Sequence, residues 1–211
     1  MDLFAEQQPE FVPLATGACW LPGFALPVMD TLWPALQQHL CQHPPQQMMT
    51  PMGLMSVRTS SMGDWGWVGN AHGYAYSATQ PDTQLPWPAI PPVILELAAA
   101  AARKAGYPDF VPDSCLINVY EAGSKMGLHQ DKDEMDFSQP IVSLSLGIPA
   151  IFLFGGARRT DKPVKIPLQH GDVVVWGGVS RRFYHGVAPV KADSHPLLGS
   201  KRINLTLRKA K

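Results

Sequence analysis

The pattern of polar and apolar residues is clearest near the C-terminus, where residues 201–208 alternate between the two classes. Alternation with a period of two predicts a strand whose apolar side chains face one layer of the fold and whose polar side chains face the other. The polar face consists of Arg202, Asn204, Thr206 and Arg208, and the apolar face of Ile203, Leu205 and Leu207.

A second alternating segment, residues 115–120, places Asn118 and Tyr120 on one face of another strand. Strand-like runs separated by glycine and proline turns are predicted at residues 114–120, 141–146, 151–154, 172–176, 183–187 and 203–207. Many short strands favour a mainly β fold with flanking helices, in which a double-stranded β-helix, or jelly roll, forms the core.

Two helices are predicted in the first half of the chain. One begins near Asp30 or Thr31, either of which is suited to cap it, and runs toward His39. The other covers residues 93–105, between a Pro-Pro pair and a glycine. The remainder of residues 1–90 is rich in proline and aromatic residues and lacks alternation, which predicts a loop-rich extension and recognition lid. This extension would pack on a core of residues 91–211 within one globular unit.

Composition limits the kind of protein that this chain can be. With 211 residues, of which 45% are hydrophobic, it is long enough for one well-buried domain and short for two. Three widely separated cysteines indicate reduced, packed thiols in a cytoplasmic protein. The N-terminus does not resemble a signal peptide, and no apolar run approaches a membrane span. We expect a monomer that does not contact a membrane.

The charge balance is unusual for a protein that binds nucleic acid, because phosphate affinity normally comes from an excess of lysine and arginine. The formal net charge is zero, but basic residues are concentrated at 158–165, at Arg181 and Arg182 and at the C-terminus. A local basic patch would suit a short stretch of nucleic-acid strand. The alternative is that residues 158–165 form a solvated hairpin loop.

The candidate metal ligands are His129 and Asp131, in the triplet His129-Gln130-Asp131, and His185 far downstream. Two imidazoles and one carboxylate suit a redox-active iron that keeps coordination positions open. Because alternate residues of a strand share a face, His129 and Asp131 can reach one ion, while His185 must come from another strand.

The triplet by itself is a weak signal, since the chain contains seven histidines. His72 and His170 also offer imidazoles. However, His170 precedes a strand in a turn with Asp172, where hydrogen bonding is the expected role of both residues.

The polar face of residues 202–208 suits a dicarboxylate, because arginine forks bind carboxylates through two parallel hydrogen bonds. With Asn118, Tyr120 and the metal triad, this face predicts a pocket. The alternative is a solvated edge strand whose charges maintain solubility.

Together with these residues, five blocks in the same order make the chain resemble the AlkB family of iron(II)- and 2-oxoglutarate-dependent nucleic-acid dealkylases. The blocks are residues 108–120, 128–134, 150–156, 170–178 and 202–208. The resemblance implies the jelly-roll fold and an enzyme that uses iron(II), 2-oxoglutarate as cosubstrate and O2. It also implies that His129, Asp131 and His185 are the catalytic iron ligands, and that Arg202 pairs with the distal carboxylate of 2-oxoglutarate. The residues implied to hold 2-oxoglutarate are Asn118, Tyr120, Arg202, Asn204 and Arg208.

The activity implied is oxidative dealkylation of N-alkylated bases such as 1-methyladenine and 3-methylcytosine. This is direct-reversal repair of DNA that releases succinate, carbon dioxide and an aldehyde. The implied partner is alkylated single-stranded DNA, with double-stranded DNA and RNA as alternatives. Two other functions compete: a 2-oxoglutarate oxygenase acting on a protein or small molecule, and a metal-binding jelly roll without turnover.

Residues 64–77 combine glycines, polar residues and the aromatic residues Trp67, Tyr74 and Tyr76, which predicts a surface lid over the pocket. Aromatic side chains on a lid suit stacking on an extruded base, although core packing is the alternative for such a cluster. The resemblance implies that Trp67 stacks on the damaged base and that His129 lies on its other side.

Further substrate contacts are predicted around the lid. Asp133 is placed to accept a hydrogen bond from an exocyclic amine, and Glu134 and Arg159 match family positions near the substrate. The chain departs from the family at residues 48–56, where Leu54 replaces a tyrosine and the turn is one residue shorter. We expect the chemistry to persist and the preference for strand length or lesion to shift.

Overall fold

The computed structural model describes residues 9–50, 53–70 and 73–211; His72 and part of the turn at 48–56 therefore lie outside the described residues. The first strands are β1 (Val12–Ala15), β2 (Ala18–Leu21), β3 (Gln46–Thr50), β4 (Gly53–Gly63), β5 (Gly66–Asn70) and β6 (Gly73–Ser77). The later strands are β7 (Ser114–Tyr120), β8 (Met126–His129), β9 (Ile141–Gly147), β10 (Ala150–Phe154), β11 (Val164–Leu168), β12 (Val173–Trp176), β13 (His185–Val187) and β14 (Arg202–Arg208). Two α-helices are present in this part of the chain, α1 (Met29–Gln42) and α2 (Pro92–Lys104).

Eight strands form the larger sheet, in the order β1-β2-β12-β9-β14-β7-β4-β3. The alternating C-terminal segment is β14, which lies near the middle of this sheet and pairs antiparallel with both β7 and β9. All seven of its residues are buried. The alternative of a solvated edge strand is therefore wrong, because both edges of β14 are paired and its polar face lies inside the protein.

The smaller sheet has the order β11-β10-β13-β8 and packs over one face of the larger sheet. A hydrophobic cluster fills part of the space between them, with Phe152 and Phe154 from β10, Trp176 from β12 and Tyr120 from β7. Two antiparallel sheets packed in this way form the predicted jelly-roll core. The remaining hairpin, β5-β6, pairs only within itself among the described strands.

The other face of the larger sheet is covered by the two helices. Ile203 and Leu205 of β14 pack in one hydrophobic cluster with Leu32 of α1 and Ile94 and Ala98 of α2. Small alanine side chains on α2 allow the helix to approach the sheet closely. The apolar residues of β14 therefore face the helices, as the alternation predicted, and its polar residues face the space between the sheets.

The helix boundaries are close to those predicted. Helix α2 covers residues 92–104, one position earlier than expected at each end. Helix α1 begins at Met29, so Asp30 lies in its first turn, and Val28 supplies no side-chain cap. Asp30 and Thr31 are thus inside the helix, and the predicted capping role was wrong.

The N-terminal part contains more regular structure than the loop-rich prediction suggested. Strand β4 pairs with β7 and lies next to the edge strand β3 at one end of the larger sheet, and β1 and β2 extend its opposite end. Alternation does exist in β4, where Val57, Thr59 and Ser61 are buried. It was missed because two of these three residues are small and polar, so hydrophobicity alone does not reveal them.

The cysteines are free thiols. Cys19 and Cys115 are buried, as expected, whereas Cys41 is exposed on α1, so the packing prediction was wrong for that residue. None of the helices in the described parts of the chain is both long and apolar enough to cross a membrane.

Candidate active site and metal centre

The candidate metal residues lie on two paired strands of the smaller sheet. His129 is the last residue of β8, His185 is the first residue of β13, and the two are directly opposite in the antiparallel register. Their ring centroids are 4.4 Å apart. Asp131 lies just beyond the end of β8 rather than within the strand, which differs from the single extended segment that we expected.

Three side chains converge here on a space suited to one ion. The potential ligand atoms of His129, Asp131 and His185 all lie within 4.8 Å of one another. Nε2 of His129 is 3.7 Å from Oδ1 of Asp131, and Nε2 of His185 is 3.8 Å from Oδ2. Among the described residues this is the one group of three or more such side chains that could hold a metal.

Hydrogen bonds to the backbone orient both imidazoles. Nδ1 of His129 donates to the carbonyl oxygen of Gly127 (2.9 Å), and Nδ1 of His185 donates to that of Phe183 (3.0 Å). A proton on Nδ1 leaves the lone pair of Nε2 directed at the shared space, which is the usual arrangement for a metal-binding histidine.

The local electrostatics favour the protonation states that a metal requires. Burial, with His129 close by, lowers the pKa of His185 to about 4, so its ring is neutral near pH 7. Burial opposes ionisation of Asp131, but the charge and hydrogen bonds of Arg208 outweigh it and hold the pKa of that carboxyl well below its usual range. The neutral imidazole of His185 and the ionised carboxylate of Asp131 fit iron(II).

Arg202 is buried on the same polar face of β14 as Arg208 and has spare hydrogen-bonding capacity. Its side chain is 1% exposed, its guanidinium lies 4.8 Å from the centroid of the Tyr120 ring, and Nη2 donates to Oγ of Ser145 (2.9 Å). Nε and Nη1 make no hydrogen bond with any described residue. Buried N–H groups are rarely left unpaired, so this pair fits a bound carboxylate.

Asn118 and Asn204 line the pocket from neighbouring strands. They are register partners in β7 and β14, and Nδ2 of Asn204 donates to Oγ of Ser143 (2.8 Å). Oδ1 of Asn118 is buried without a hydrogen-bond partner among the described residues. Burial raises the pKa of Tyr120, which keeps its phenol neutral. The Nδ2 donors of the asparagines and the Tyr120 phenol thus fit a dicarboxylate, and a water that donates to Oδ1 of Asn118 would complete the pocket.

Arg208 is held differently from Arg202. Its Nε and Nη2 both donate to Oδ2 of Asp131, at 2.9 and 2.7 Å, while Nη1 has no partner among the described residues. Oδ1 of Asp131 is therefore the oxygen that Arg208 leaves to other ligands. Arg208 was predicted to contact the dicarboxylate, and in the structure its main partner is the candidate metal ligand.

The predicted lid residues meet on the β5-β6 hairpin, which contacts Asp133, two positions after Asp131 of the triad. The rings of Trp67 and Tyr74 stack with centroids 4.6 Å apart, and Nε1 of Trp67 donates to Oδ2 of Asp133 (3.2 Å). Tyr74 is 43% exposed. The aromatic pair and Asp133 therefore form one contact group at the surface beside the triad, which favours the lid over core packing.

Two predicted features lie further out. Arg159 is exposed in the connection between β10 and β11, where Arg158 and Asp161 form an ion pair at 3.2 Å. Leu54, which we expected to replace the family's tyrosine, is 61% exposed near the start of β4. A cavity of about 430 Å³ has Trp67 in its wall but contains none of the triad, so it is not the candidate reaction site.

Arg181 was missed, because the sequence placed it in a basic surface cluster with Arg182. Its side chain is only 2% exposed, and Nη2 lies 3.1 Å from Oε2 of Glu134. It cannot belong to a phosphate-binding patch. Ser143 and Ser145 were also missed, although their alternation with leucines in β9 is a signal that could have revealed them.

Glu134 is the centre of a buried ion network. It is 6% exposed and contacts Arg181, Nε of Arg208 (3.3 Å) and the hydroxyl of Tyr76, which donates to Oε1 (2.8 Å). The carboxylates of Glu134 and Asp131 together balance the two positive charges of Arg181 and Arg208. A network closed in this way avoids unpaired buried charge.

Replacement Glu134→Gln is expected to lower the free energy of unfolding by about 3 kcal/mol, because it leaves one buried guanidinium charge uncompensated. Urea unfolding measured by circular dichroism tests this value. Glu10→Gln is the matched control, since Glu10 is 88% exposed beside Lys104 and its loss should leave the unfolding midpoint unchanged. A loss below about 1 kcal/mol for Glu134→Gln would mean that the network contributes little to stability.

Comparison with known proteins places this geometry in context. The family model of the 2OG-Fe(II) oxygenase superfamily matches residues 17–208. The chain is 51% identical to the alpha-ketoglutarate-dependent dioxygenase AlkB of Escherichia coli (strain K12), over all of this chain and 98% of that protein. It is 41% identical over 112 residues to a DNA N(6)-methyladenine demethylase of Arabidopsis thaliana, covering 48% of this chain and 25% of that one. The solved structure of OsALKBH1 superposes with a TM-score of 0.80 at 30% identity, covering 94% of this chain and 99% of that one.

Proposed function

The chain belongs to the AlkB family of the 2OG-Fe(II) oxygenase superfamily, and from that premise we propose that it oxidatively dealkylates N-alkylated bases in DNA. The enzyme is an iron(II)- and 2-oxoglutarate-dependent dioxygenase, and its fold is the jelly roll of that superfamily. The proposed substrates are bases such as 1-methyladenine and 3-methylcytosine.

The observation that supports the proposal is that the polar face of β14 serves both candidate binding sites. Arg208 on this face donates to Asp131 of the triad, and Arg202 on the same face is buried with two unpaired N–H groups. A protein that only stores metal does not need a buried site for a dicarboxylate. The unpaired N–H groups of Arg202, which fit a carboxylate, therefore argue against a metal-binding protein without turnover.

We propose that the triad holds iron(II) and that 2-oxoglutarate is held by Asn118, Tyr120, Arg202, Asn204 and Arg208. When bound, iron(II) with 2-oxoglutarate and dioxygen supplies the oxidation that converts an N-methyl group to a hydroxymethyl group, which leaves as formaldehyde. The chain's own contribution is positioning. Arg202 orients the dicarboxylate, Arg208 fixes Asp131, and the two backbone-bonded imidazoles need no reorganisation to bind metal.

The lid residues supply the substrate side of the proposal. Trp67 and Tyr74 offer ring faces for stacking an extruded base, and Asp133 offers a carboxylate to a cationic alkylated base. Arg159 in its exposed loop is suited to a phosphate of the same strand. These contacts favour a nucleic acid over a small molecule, although the net charge of the chain is zero.

We also propose that the enzyme acts as a cytoplasmic monomer on single-stranded DNA, with double-stranded DNA and RNA as weaker substrates. The buried and unpaired thiols of Cys19 and Cys115 fit a reducing compartment. In the same proposal residues 1–90 form the recognition part and residues 91–211 the oxygenase core, within one globular unit.

The test is mass spectrometry of a single-stranded oligonucleotide that contains 3-methylcytosine, incubated with protein, iron(II), 2-oxoglutarate and ascorbate in air. Loss of one methyl group is expected, with one succinate formed for each methyl removed, and no loss when 2-oxoglutarate is omitted. If succinate accumulates while the oligonucleotide is unchanged, the substrate is a protein or small molecule instead.

A further inference from the structure

The β5-β6 hairpin, which carries Trp67 and Tyr74, is joined to the interior by the phenol of Tyr76. This hydroxyl donates to Oε1 of Glu134 at 2.8 Å. Burial raises the pKa of Tyr76, so the phenol keeps its proton and acts as a donor. The hairpin pairs with no other sheet in the described chain, which makes this bond a specific tie between it and the core.

Glu134 shares both of its arginine partners with Asp131. Arg208 donates through Nε to Oδ2 of Asp131 at 2.9 Å, and the same Nε lies 3.3 Å from Oε1 of Glu134. Arg181 pairs with Oε2 of Glu134 at 3.1 Å and donates through Nη1 to the backbone carbonyl of Asp131 at 3.2 Å. The side chain and the backbone of Asp131 are therefore both held by arginines that also bind Glu134.

Tyr76 and Arg208 meet at a single oxygen atom, Oε1 of Glu134. While the phenol donates a hydrogen bond to Oε1, this oxygen attracts a second donor less strongly. Nε of Arg208 therefore stays closer to Asp131. Without the phenol, Oε1 is a buried anionic acceptor that lacks a hydrogen bond, and it attracts Nε away from Asp131.

We propose that Tyr76 is a positioning residue for the oxidation, which links the seating of the β5-β6 hairpin to the orientation of the Asp131 carboxylate through Glu134 and Arg208. This link rests on the proposed function and extends it. The β5-β6 hairpin, which stacks the base, and the Asp131 carboxylate, which binds metal, adopt their working positions together. 2-Oxoglutarate is therefore consumed mainly when a base is bound at the hairpin and is oxidised.

The test compares Tyr76→Phe with wild type and with Tyr107→Phe. Tyr107 is a matched control, because its half-buried hydroxyl also makes a single hydrogen bond, to the carbonyl oxygen of Gly17 (2.9 Å), in another part of the fold. Three quantities are measured: the affinity of the metal-free protein for cobalt(II), backbone hydrogen exchange of the hairpin, and succinate formed per methyl group removed.

For Tyr76→Phe we expect cobalt(II) affinity to fall about tenfold, as for loss of other groups that orient metal ligands. Exchange of the hairpin should become faster, and several succinates should form for each methyl removed. Tyr107→Phe should match wild type in all three. A thermal unfolding curve close to that of wild type shows that Tyr76→Phe is folded.

If hairpin exchange rises while cobalt(II) affinity stays within about twofold of wild type, Tyr76 is a simple anchor and the proposal is overturned. The proposal is also overturned if none of the three quantities changes, and Tyr76 is then not an anchor either. Failure of wild type to demethylate any oligonucleotide would overturn the proposed function, but the cobalt(II) comparison would still decide the role of Tyr76, because it needs no substrate.

Discussion

Replacement of His185 by alanine is expected to abolish demethylation of the 3-methylcytosine oligonucleotide and the accompanying formation of succinate. Loss of a hydrogen-bond partner of a metal ligand typically costs about 10- to 100-fold in metal affinity or activity, and loss of the ligand itself should exceed that range. Among the residues that the structure describes, no fourth imidazole, thiol or carboxylate joins this group and could take the place of His185. Metal affinity measured by calorimetry and turnover measured by mass spectrometry should fall together.

The matched control for this experiment is His170→Ala. His170 accepts a hydrogen bond from the backbone N–H of Gly147 at 3.0 Å and lies outside the triad. Its loss should reduce stability without removing metal binding. Wild-type metal affinity in His185→Ala would contradict the assignment of His185 as a ligand.

The second large effect is expected at Arg202. In Arg202→Met the unpaired Nε and Nη1 are removed, so the KM for 2-oxoglutarate should rise about a hundredfold, which corresponds to about 3 kcal/mol for hydrogen bonds to a charged group. The variant should remain folded, because exchange of a buried charge for an apolar side chain of similar volume is often neutral for stability. Initial rates of succinate formation over a range of 2-oxoglutarate concentrations give the KM.

A change in cosubstrate preference makes this prediction specific. A 2-oxo acid of similar length that lacks the distal carboxylate should be a relatively better cosubstrate for Arg202→Met than for wild type, since the apolar pocket no longer requires the charge. Arg103→Met, on the exposed end of α2, should behave as wild type. An unchanged KM in Arg202→Met would show that the distal carboxylate is held elsewhere.

The strands that form the pocket were predictable because their function imposes a strong pattern. In β14 each pocket-facing residue is polar and each helix-facing residue is apolar, and β7 follows the same rule except at Leu116, so the period of two is visible in the sequence. Strand β4 has the same geometry with Thr59 and Ser61 on its buried face, and it was not recognised. Hydrophobicity reveals a strand only when burial and apolar character coincide.

The candidate site shows a different limit. The triad and the polar face of β14 could be proposed from spacing and residue type, and the family resemblance joined them into one pocket. The pairing of Arg208 with Asp131 and the burial of Arg181 could not be foreseen, because they depend on contacts between residues 77 and 50 positions apart in the chain. A buried arginine beside an exposed one, as at 181 and 182, has no local signature.

The alternation along β14 also separates two kinds of mutational tolerance. Positions 203, 205 and 207 face the helices, where a change of volume disturbs packing, whereas positions 202, 204 and 208 face the pocket. A variant library of this strand would therefore divide by the parity of the residue number. Substitutions at odd positions would mainly change the yield of folded protein. Substitutions at even positions would mainly change cosubstrate binding and turnover by the folded protein. Cosubstrate preference can thus drift during evolution while the scaffold that carries it is preserved.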